Sequence, residues 1–233
     1  MTETNPQLSS EAVAFIKSNK SELIRKFANP EVCRPVSSPV SLFMAGSPGA
    51  GKTEVSKNLV KKFRDVPVRI DADEIRAICP GYTGTNAHIF QDAANKGVNI
   101  LFDYALHKHL NLILDATFAY TDAQGNIQRS IDRNRIVQIW FVYQDPLKAW
   151  EVTKAREVKE ARHVSKEVFI ETFFRAKKNV SRAKEMFGSV IELNLLVKDY
   201  DGTENSHFNI SEGELDRYLK DGYTENDLKM KLV

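Results

Sequence analysis

The sequence predicts an α/β fold in which helices cover both faces of a five-stranded parallel sheet. Two observations predict it. Short apolar runs of strand length alternate with longer segments of helical periodicity through most of the chain. The first such run, residues 40–45, leads directly into a glycine-rich turn, which is typical of a buried strand in a parallel sheet.

An amphipathic helix is predicted over residues 9–28, before the sheet begins. Ser9 or Ser10 can cap its start, and apolar residues recur at near-helical spacing, namely Val13, Ile16, Leu23, Ile24 and Phe27. Residues 29–39 contain three prolines and predict a linker. We therefore expect an N-terminal segment over residues 1–39 that packs on the flank of the sheet or, alternatively, covers the functional site.

The core is predicted over residues 40–200. After the first strand, the further strands are Val66–Ile70, Asn111–Leu114, Val137–Tyr143 and Val190–Val197. The helices are Lys52–Phe63, Ala87–His109, one that begins at Pro146 after Asp145, and one that runs from Ser165 to about Phe187. Residues 201–233 are expected to form a tail, with two short surface helices from Ser211 onward.

Composition and charge exclude several classes of protein. The formal net charge of +2 gives no global field that would favour nucleic acid or a membrane surface. No apolar run approaches the ~20 residues of a membrane-spanning helix, and the polar start of the chain does not resemble a signal peptide. The two cysteines, Cys33 and Cys79, are expected as buried, reduced thiols. We expect a cytoplasmic protein with neither a membrane nor a nucleic acid as its partner.

A phosphate-binding loop follows the first strand. The pattern G-x-x-x-x-G-K-[ST] is matched, and the predicted nucleotide-binding residues are Gly46, Ser47, Pro48, Gly49, Ala50, Gly51, Lys52, Thr53 and Glu54. Glycines let backbone N–H groups point at phosphate oxygens, Lys52 reaches the β- and γ-phosphates, and Thr53 ligates Mg²⁺. The alternative is a chance match, but the strand before the loop and the helix after it argue against that. ATP and Mg²⁺ are the predicted cofactors.

The class of P-loop protein is narrowed by elements that the sequence lacks. A GTPase needs an N-K-x-D element to read guanine, but residues 19–22 lie upstream of the loop and residues 95–98 lack the aspartate. The chain also has no large second region of the kind that motor ATPases carry. A three-layer P-loop kinase fold that acts on a small molecule or a nucleotide remains.

Carboxylates follow the second predicted strand, in the segment 70–76. Groups just past the ends of parallel strands converge on the ligand crevice, so Asp71, Asp73 and Arg76 are predicted near the phosphate loop. A carboxylate there can accept the proton of an acceptor hydroxyl. The same pattern is also typical of a helix start, where an aspartate caps the first turn. Both interpretations stay open, and they are compatible if Asp71 caps the helix and Asp73 acts as the base.

Two further elements carry candidate residues. The run Asn111–Leu114 ends in Asp115, which predicts a Walker B strand with its acid near Mg²⁺ or, alternatively, a cap for the following turn. Residues 154–162 form a charged helical stretch, which is typical of a solvated face. P-loop kinases also carry lid arginines in such a stretch, and these stabilise the charge on the transferring phosphoryl group.

The motifs GSPGAGKT, IDADEIR and LILDAT together resemble the zeta toxin family of bacterial kinases over residues 40–175. Members phosphorylate UDP-N-acetylglucosamine or related nucleotide sugars on a sugar hydroxyl, and antitoxins hold them in check. The resemblance implies a nucleotide-sugar acceptor and an antitoxin partner. It also implies that Asp73 is the catalytic base, assisted by Lys52. The implied lid arginines are Arg162 and Arg156, and the implied acceptor-binding residues are Asp115 and Thr117. Asp71 and Arg76, which lie beside Asp73 in the sequence, are further predicted substrate-binding residues.

The sequence departs from the family pattern near the acceptor. The family tripeptide is usually E-G-T, whereas Asp115 is one methylene shorter than Glu and Ala116 replaces glycine. A further family acid on the long helix falls near Asn99, which is not acidic. Other acceptors on the same scaffold are therefore alternatives, namely a polynucleotide 5′-end, a nucleoside or an antibiotic hydroxyl. A nucleotide-gated binding module is the alternative from another class.

Overall fold

A computed structural model describes residues 5–199, 203–219 and 222–232, except for the side chains of residues 160 and 212. Residues 1–4 of the polar start, residue 200 of the predicted core and residues 201, 202, 220, 221 and 233 of the predicted tail lie outside these ranges. The helices are α1 (Pro6–Ser18), α2 (Lys20–Phe27), α3 (Lys52–Val60), α4 (Ala72–Arg76), α5 (Gln91–His107), α6 (Ala123–Ile131), α7 (Pro146–Glu160), α8 (Lys166–Phe187), α9 (Glu212–Tyr218) and α10 (Glu225–Lys231). The strands are β1 (Val40–Ala45), β2 (Val68–Asp71), β3 (Leu112–Asp115), β4 (Ile136–Gln144), β5 (Ile191–Lys198) and β6 (Glu204–His207). Within the described ranges, no helix combines the length and the apolarity that crossing a membrane requires.

The strands form one sheet in the order β2-β3-β1-β4-β5-β6. Strands β1 to β5 run parallel, which confirms the predicted parallel sheet. The prediction of five strands is wrong, because β6 pairs antiparallel with β5 at the edge of the sheet. The sequence of β6, ENSH, is polar and largely exposed, so it lacks the apolar alternation by which a strand is recognised.

Side chains of β1 alternate between two apolar cores. Phe43 faces the larger core, where its ring centroid lies 6.2 Å from that of Phe102 on α5. Leu42 and Met44 face the smaller core, and Leu59 of α3 packs against it. The helix after the phosphate loop and the long helix α5 therefore cover opposite faces of the sheet, which confirms the three-layer arrangement.

Helix α1 begins earlier than the sequence predicts. Asn5 caps it, because the Asn5 side chain accepts a hydrogen bond from the backbone N–H of Leu8 at 3.0 Å. Pro6 occupies the first helical position, where its fixed φ favours a helix start. The predicted cap at Ser9 or Ser10 is therefore wrong.

Asn19 separates α1 from α2, whereas the sequence predicts one helix over residues 9–28. The side-chain amide of Asn19 donates to the carbonyl of Phe15 at 2.9 Å, and such side chain–backbone bonds compete with helix continuation. Both helices contact α5, and the side chains of Ile16 and Leu23 are buried. The N-terminal helices thus pack on the flank of the sheet.

Other boundaries are close to their predicted positions. Asp145 caps α7 and Ser165 caps α8, as predicted. Helix α5 begins at Gln91 rather than Ala87, because residues 85–90 form turns. Helix α6 over Ala123–Ile131 was not predicted, and the sequence signal for it is short.

Gly97→Ala tests the packing of α5 against α4. A Cβ at Gly97 would lie 2.6 Å from the Cγ2 of Ile75, which is fully buried. Overpacking of this kind typically costs about 1–3 kcal/mol, and alanine recovers at most about 1 kcal/mol of helix propensity. We expect a net loss in the free energy of unfolding, measured by urea denaturation. Gly213→Ala is the matched control, since a Cβ there meets nothing within 4 Å, and an equal loss in both variants would contradict this packing.

Candidate active site

One cavity of about 720 Å³ lies at the carboxyl ends of the parallel strands, where ligand crevices of such sheets occur. The phosphate loop, the ends of β2 and β3 and the lid segment, residues 154–162, contribute to its wall. The predicted site residues in that wall are Pro48, Gly49, Gly51, Lys52, Thr53, Asp71, Asp73, Arg76, Asp115, Thr117, Arg156 and Arg162. Segments that are far apart in the sequence therefore line the same cavity. None of residues 5–39, all of which the structure describes, lines it.

Close packing against α7 fixes the shape of the phosphate loop. Gly49 has φ +75°, and a Cβ there would lie 2.0 Å from the carbonyl oxygen of Ala149. Gly51, at φ +85°, is the left-handed residue at the start of α3. Glycine tolerates both the positive φ and the close backbone approach, because it has no Cβ. The loop backbone and the positive end of α3 together form a cradle that suits phosphate oxygens.

Four of the predicted nucleotide-binding residues do not line the cavity. The N–H of Gly46 donates to the carbonyl of Thr117 at 3.1 Å. Ser47 and Ala50 are buried, and Glu54 is exposed on α3. These residues lie in or beside the phosphate loop, and the hydrogen bond of Gly46 joins the ends of β1 and β3.

Lys52 is held inside the phosphate loop. Its Nζ donates a hydrogen bond to the carbonyl oxygen of Ser47 at 2.7 Å. Burial lowers the pKa of Lys52 to about 8; Asp115 opposes this shift, and the positive charges of Arg156 and Arg162 add to it. The surroundings of this ammonium thus disfavour its charge, and a nearby anion such as a triphosphate would restore it.

The structure separates the positions of Asp71 and Asp73. Asp71 caps α4, since its Oδ1 accepts a hydrogen bond from the backbone N–H of Asp73 at 2.9 Å. Burial raises the pKa of Asp71, and the charges of Asp115 and Asp73 raise it further, while the cap bond and Arg69 oppose the shift. The capping interpretation is therefore confirmed for Asp71. The side chain of Asp73 is 39% exposed and lies at the cavity wall.

Two arginines flank the carboxylate of Asp73. Arg76 donates to its Oδ1, and Arg162 donates to its Oδ2. Arg76 is 4% exposed and also donates to the Oε1 of Gln91 at 2.7 Å, so its guanidinium is held between Asp73 and α5. Arg162 lies between α7 and α8. Its ion pair therefore joins the lid segment to the segment after β2.

Asp115 is engaged by partners that the sequence did not reveal. Its Oδ2 accepts a 2.6 Å hydrogen bond from the hydroxyl of Ser56 and lies 2.5 Å from a guanidinium nitrogen of Arg69. Arg69 also pairs with Asp71 at 2.7 Å and with Glu74 at 2.6 Å. Burial works against the charge of Arg69, but Asp115 and the other carboxylates raise its pKa above the ordinary value. The available signal was an arginine inside the short, mostly buried strand VRID.

Sequence reasoning also missed the polar wall, which we define as the polar side chains of α5 and α6 that line the cavity. They are Gln91, Asn95, Asn99, Asn126 and Arg129. The three on α5 are spaced four residues apart, which places them on one face of the helix. That regular spacing of amide side chains was the available signal. Asn99, noted above in place of a family acid, belongs to this wall.

The comparison with known families gives a clear result. The family model described as zeta toxin matches residues 25–210 of the chain. The chain belongs to the zeta toxin family. This confirms the resemblance of the three motifs, and membership of the zeta toxin family supports an ATP-dependent phosphotransferase. No curated protein matches the sequence.

Solved structures share the fold of this zeta toxin family member. A structure from the PezAT chromosomal toxin–antitoxin system of Streptococcus pneumoniae has a TM-score of 0.65 at 19% identity, covering 95% of this chain and 91% of that chain. The AvrRxo1-ORF1:-ORF2 complex with ATP has a TM-score of 0.61 at 12% identity, covering 94% and 74%. The same complex with sulphate ions has a TM-score of 0.59 at 13% identity, covering 91% and 71%. At these identities the likeness shows the fold.

The zeta toxin site offers few protein groups for a metal. Among the described residues, no cluster of three or more His, Cys, Asp or Glu side chains could hold a metal ion. Mg²⁺ usually keeps several waters and binds through one or two protein groups together with substrate phosphates. Thr53 and Asp115, both at the cavity wall, fit that mode of binding. Bound there, Mg²⁺ would neutralise charge that develops on the phosphates.

Lys52→Met tests the lowered pKa of Lys52. The unfolded chain holds this proton up to about the ordinary value of 10.5, whereas the folded protein releases it near 8. The stability of the wild type relative to the variant should therefore rise with pH between these values. The full shift corresponds to ~3 kcal/mol, and remaining solvent contact reduces the expected rise to about 1–2 kcal/mol. Urea unfolding of both proteins from pH 7 to pH 10 measures it, and a constant difference would contradict the assigned pKa.

Proposed function

We propose that this protein is an ATP-dependent kinase that transfers the γ-phosphate to a hydroxyl of a nucleotide sugar such as UDP-N-acetylglucosamine. The observation that carries the proposal is that Lys52 of the phosphate loop, the carboxylate of Asp73 and the guanidinium of Arg162 line one cavity. Its volume, about 720 Å³, falls within the usual range of ligand pockets. Membership of the zeta toxin family supports the proposal, as does the ATP named for the AvrRxo1 complex.

Each residue has one role in the proposed transfer. The loop backbone and Lys52 hold the β- and γ-phosphates, and Thr53 ligates Mg²⁺. Asp73 accepts the proton of the acceptor hydroxyl while that oxygen forms a bond to the γ-phosphorus. The bond from the γ-phosphorus to the β–γ bridging oxygen breaks, which leaves ADP. Arg162 and Arg156 balance the charge on the transferring group.

Arg162 exchanges partners in this scheme. In the structure, it donates to the Oδ2 of Asp73. A triphosphate in the loop offers the guanidinium a more highly charged partner with several acceptor oxygens. Transfer of Arg162 to the phosphates frees one oxygen of Asp73 for the acceptor hydroxyl, while Arg76 keeps its contact with the other. ATP binding thereby prepares the base for the acceptor.

The polar wall supports a nucleotide sugar as acceptor. Amide side chains both donate and accept hydrogen bonds, which matches the hydroxyl and acetamide groups of such a sugar. Gln91 and Asn95 already bond to each other at 2.8 Å, so this wall is partly ordered. Arg129 stacks over Phe102, with its guanidinium carbon 5.0 Å from the ring centroid. Its guanidinium also pairs with the exposed carboxylate of Asp103, which the diphosphate of the acceptor would replace as its partner.

An antitoxin is the protein partner that the proposal includes. One structural neighbour comes from a system named as toxin and antitoxin, and AvrRxo1-ORF1 is named in a complex with a second protein. A kinase that consumes nucleotide sugars has to be restrained until it is needed. We therefore include an antitoxin that covers the cavity, in the cytoplasm, where ATP and nucleotide sugars occur.

Acceptor analysis tests the proposed function directly. Wild type and Lys52→Ala are incubated with γ-labelled ATP, Mg²⁺ and, in parallel, UDP-sugars, nucleosides and 5′-hydroxyl oligonucleotides. We expect labelled UDP-N-acetylglucosamine from the wild type, and a loss of several orders of magnitude in Lys52→Ala with an unchanged circular dichroism spectrum. Label on a nucleoside or an oligonucleotide would reassign the acceptor, and label on none of them would favour a binding module. Undiminished turnover in Lys52→Ala would overturn the assignment of the phosphate loop.

Asp73→Asn tests the base. The variant keeps the size of the side chain but removes its charge and basicity, and general bases contribute about 10²–10⁴-fold. We expect transfer to fall by that factor while calorimetry shows ATP affinity close to the wild-type value. Asp92→Asn, which makes the same change at an exposed position of α5, is the control and should transfer normally. Wild-type transfer by Asp73→Asn would move the base to Asp71 or Asp115, and lost ATP binding would place Asp73 near the metal.

A further inference from the structure

A buried arginine outside the predicted site joins three of its elements. The side chain of Arg69 on β2 is 11% exposed. Its Nε donates to the hydroxyl of Ser56 at 3.0 Å, and one terminal nitrogen donates to Glu74 at 2.6 Å. The other terminal nitrogen donates to Asp71 at 2.7 Å and to Asp115 at 2.5 Å. All three nitrogens of the guanidinium are therefore engaged.

The register of the sheet places two carboxylates beside each other, next to Arg69. Asp71 and Asp115 are paired positions at the ends of β2 and β3, and like charges directly opposite each other are destabilising. Both side chains are largely buried, at 12% and 3% exposure. Arg69 precedes Asp71 by two residues, so its side chain leaves the same face of β2. The guanidinium thus lies where it can neutralise both carboxylates.

Ser56 extends the contact to the helix of the phosphate loop. Its single hydroxyl hydrogen has two acceptors within reach, the Asp115 carboxylate at 2.6 Å and the Thr53 carbonyl at 3.0 Å. The shorter distance and the charge favour the carboxylate. Ser56 therefore donates to Asp115 and accepts from Arg69. It lies one turn after Thr53, so α3 is tied to the ends of β2 and β3.

We propose that Arg69 is a positioning residue that fixes the carboxylates of Asp71 and Asp115, and through the Asp71 cap also Asp73, relative to the phosphate loop. Arg69 itself does not line the cavity, so it acts through these side chains. Lysine cannot replace it, because a single ammonium cannot reproduce the planar fork that reaches four acceptors. The inference rests on the proposed kinase function and adds a residue to it.

Arg135 provides a matched control. It is also a buried arginine, 6% exposed, but it lies at the opposite, amino-terminal edge of the sheet. Its partners are uncharged: the hydroxyl of Ser41 at 2.6 Å and the carbonyls of Leu110 at 2.6 Å and Val40 at 2.9 Å. Loss of Arg135 should therefore lower stability without disturbing the site.

The experiment compares Arg69→Lys, Arg69→Met and Arg135→Met with the wild type. Phosphate transfer to UDP-N-acetylglucosamine is measured at a temperature where each variant is folded, together with thermal stability and amide hydrogen exchange. For Arg69→Lys we expect kcat to fall about 10- to 100-fold, the effect of a small displacement of reacting groups, and the KM for ATP to stay near the wild-type value. Exchange should quicken in residues 68–76 and 112–117 but not in residues 46–53. Arg135→Met should keep its kcat at a comparable loss of stability.

Several outcomes would overturn the proposal. One is a kcat of Arg69→Lys that equals that of Arg135→Met, and another is unchanged exchange in residues 68–76 and 112–117. If Arg69→Met does not fold, Arg69→Lys still decides, since it keeps the charge. Failure of the proposed function is distinguishable, because a wild type that labels no acceptor refutes the kinase, while the exchange measurements, which need no acceptor, still accept or reject the positioning role.

Discussion

The pairing of two carboxylates across adjacent parallel strands is the constraint around which this protein is built. Asp71 and Asp115 end β2 and β3 in register, at the edge where a parallel sheet presents its ligand crevice. The two residues stay opposite each other at the carboxyl ends of the strands unless the register between β2 and β3 changes. The guanidinium of Arg69 and a backbone N–H in the first turn of α4 bond to Asp71, and the hydroxyl of Ser56 on α3 bonds to Asp115. The geometry of the site thus follows from strand pairing.

Largely buried arginines lie at both ends of the parallel strands, and their partners differ. At the amino-terminal edge, Arg135 is surrounded by carbonyls and a hydroxyl, and burial lowers its pKa to about 10. At the carboxyl edge, Arg69 is surrounded by carboxylates, and its pKa is raised. Lys52, close to Arg156 and Arg162, has a pKa lowered to about 8 mainly by burial. Burial of an ammonium beside two guanidinium groups disfavours its charge, as expected for a site that binds an anion.

Sequence reasoning recovered the features that depend on local chemistry. The loop, the central strands, and the caps Asp145 and Ser165 follow from residue types at fixed spacing. It failed where tertiary contacts decide. Strand β6 is polar and exists through its pairing with β5. The break at Asn19 was missed for another reason, because it depends on one local side-chain hydrogen bond that apolar periodicity does not reveal.

The candidate site divides in the same way. The acids and the loop lysine could be predicted, because catalysis needs those residue types after strand ends. The partners of Asp115 could not, because contact between Ser56 and Arg69 depends on how α3 lies on the sheet. The polar wall on α5 was missed for a related reason: polar residues at helical spacing look like a solvated face until a cavity is found in front of them.

The contact between Gly49 and the carbonyl of Ala149 has a mechanical consequence. Helix α7 touches the phosphate loop without an intervening side chain, and Thr153 lines the cavity one turn further on. Arg156 follows Ala149 by seven residues, about 10 Å along a rigid helix. Because the contact is made by backbone atoms, no flexible side chain separates the phosphate loop from the helix that carries Arg156.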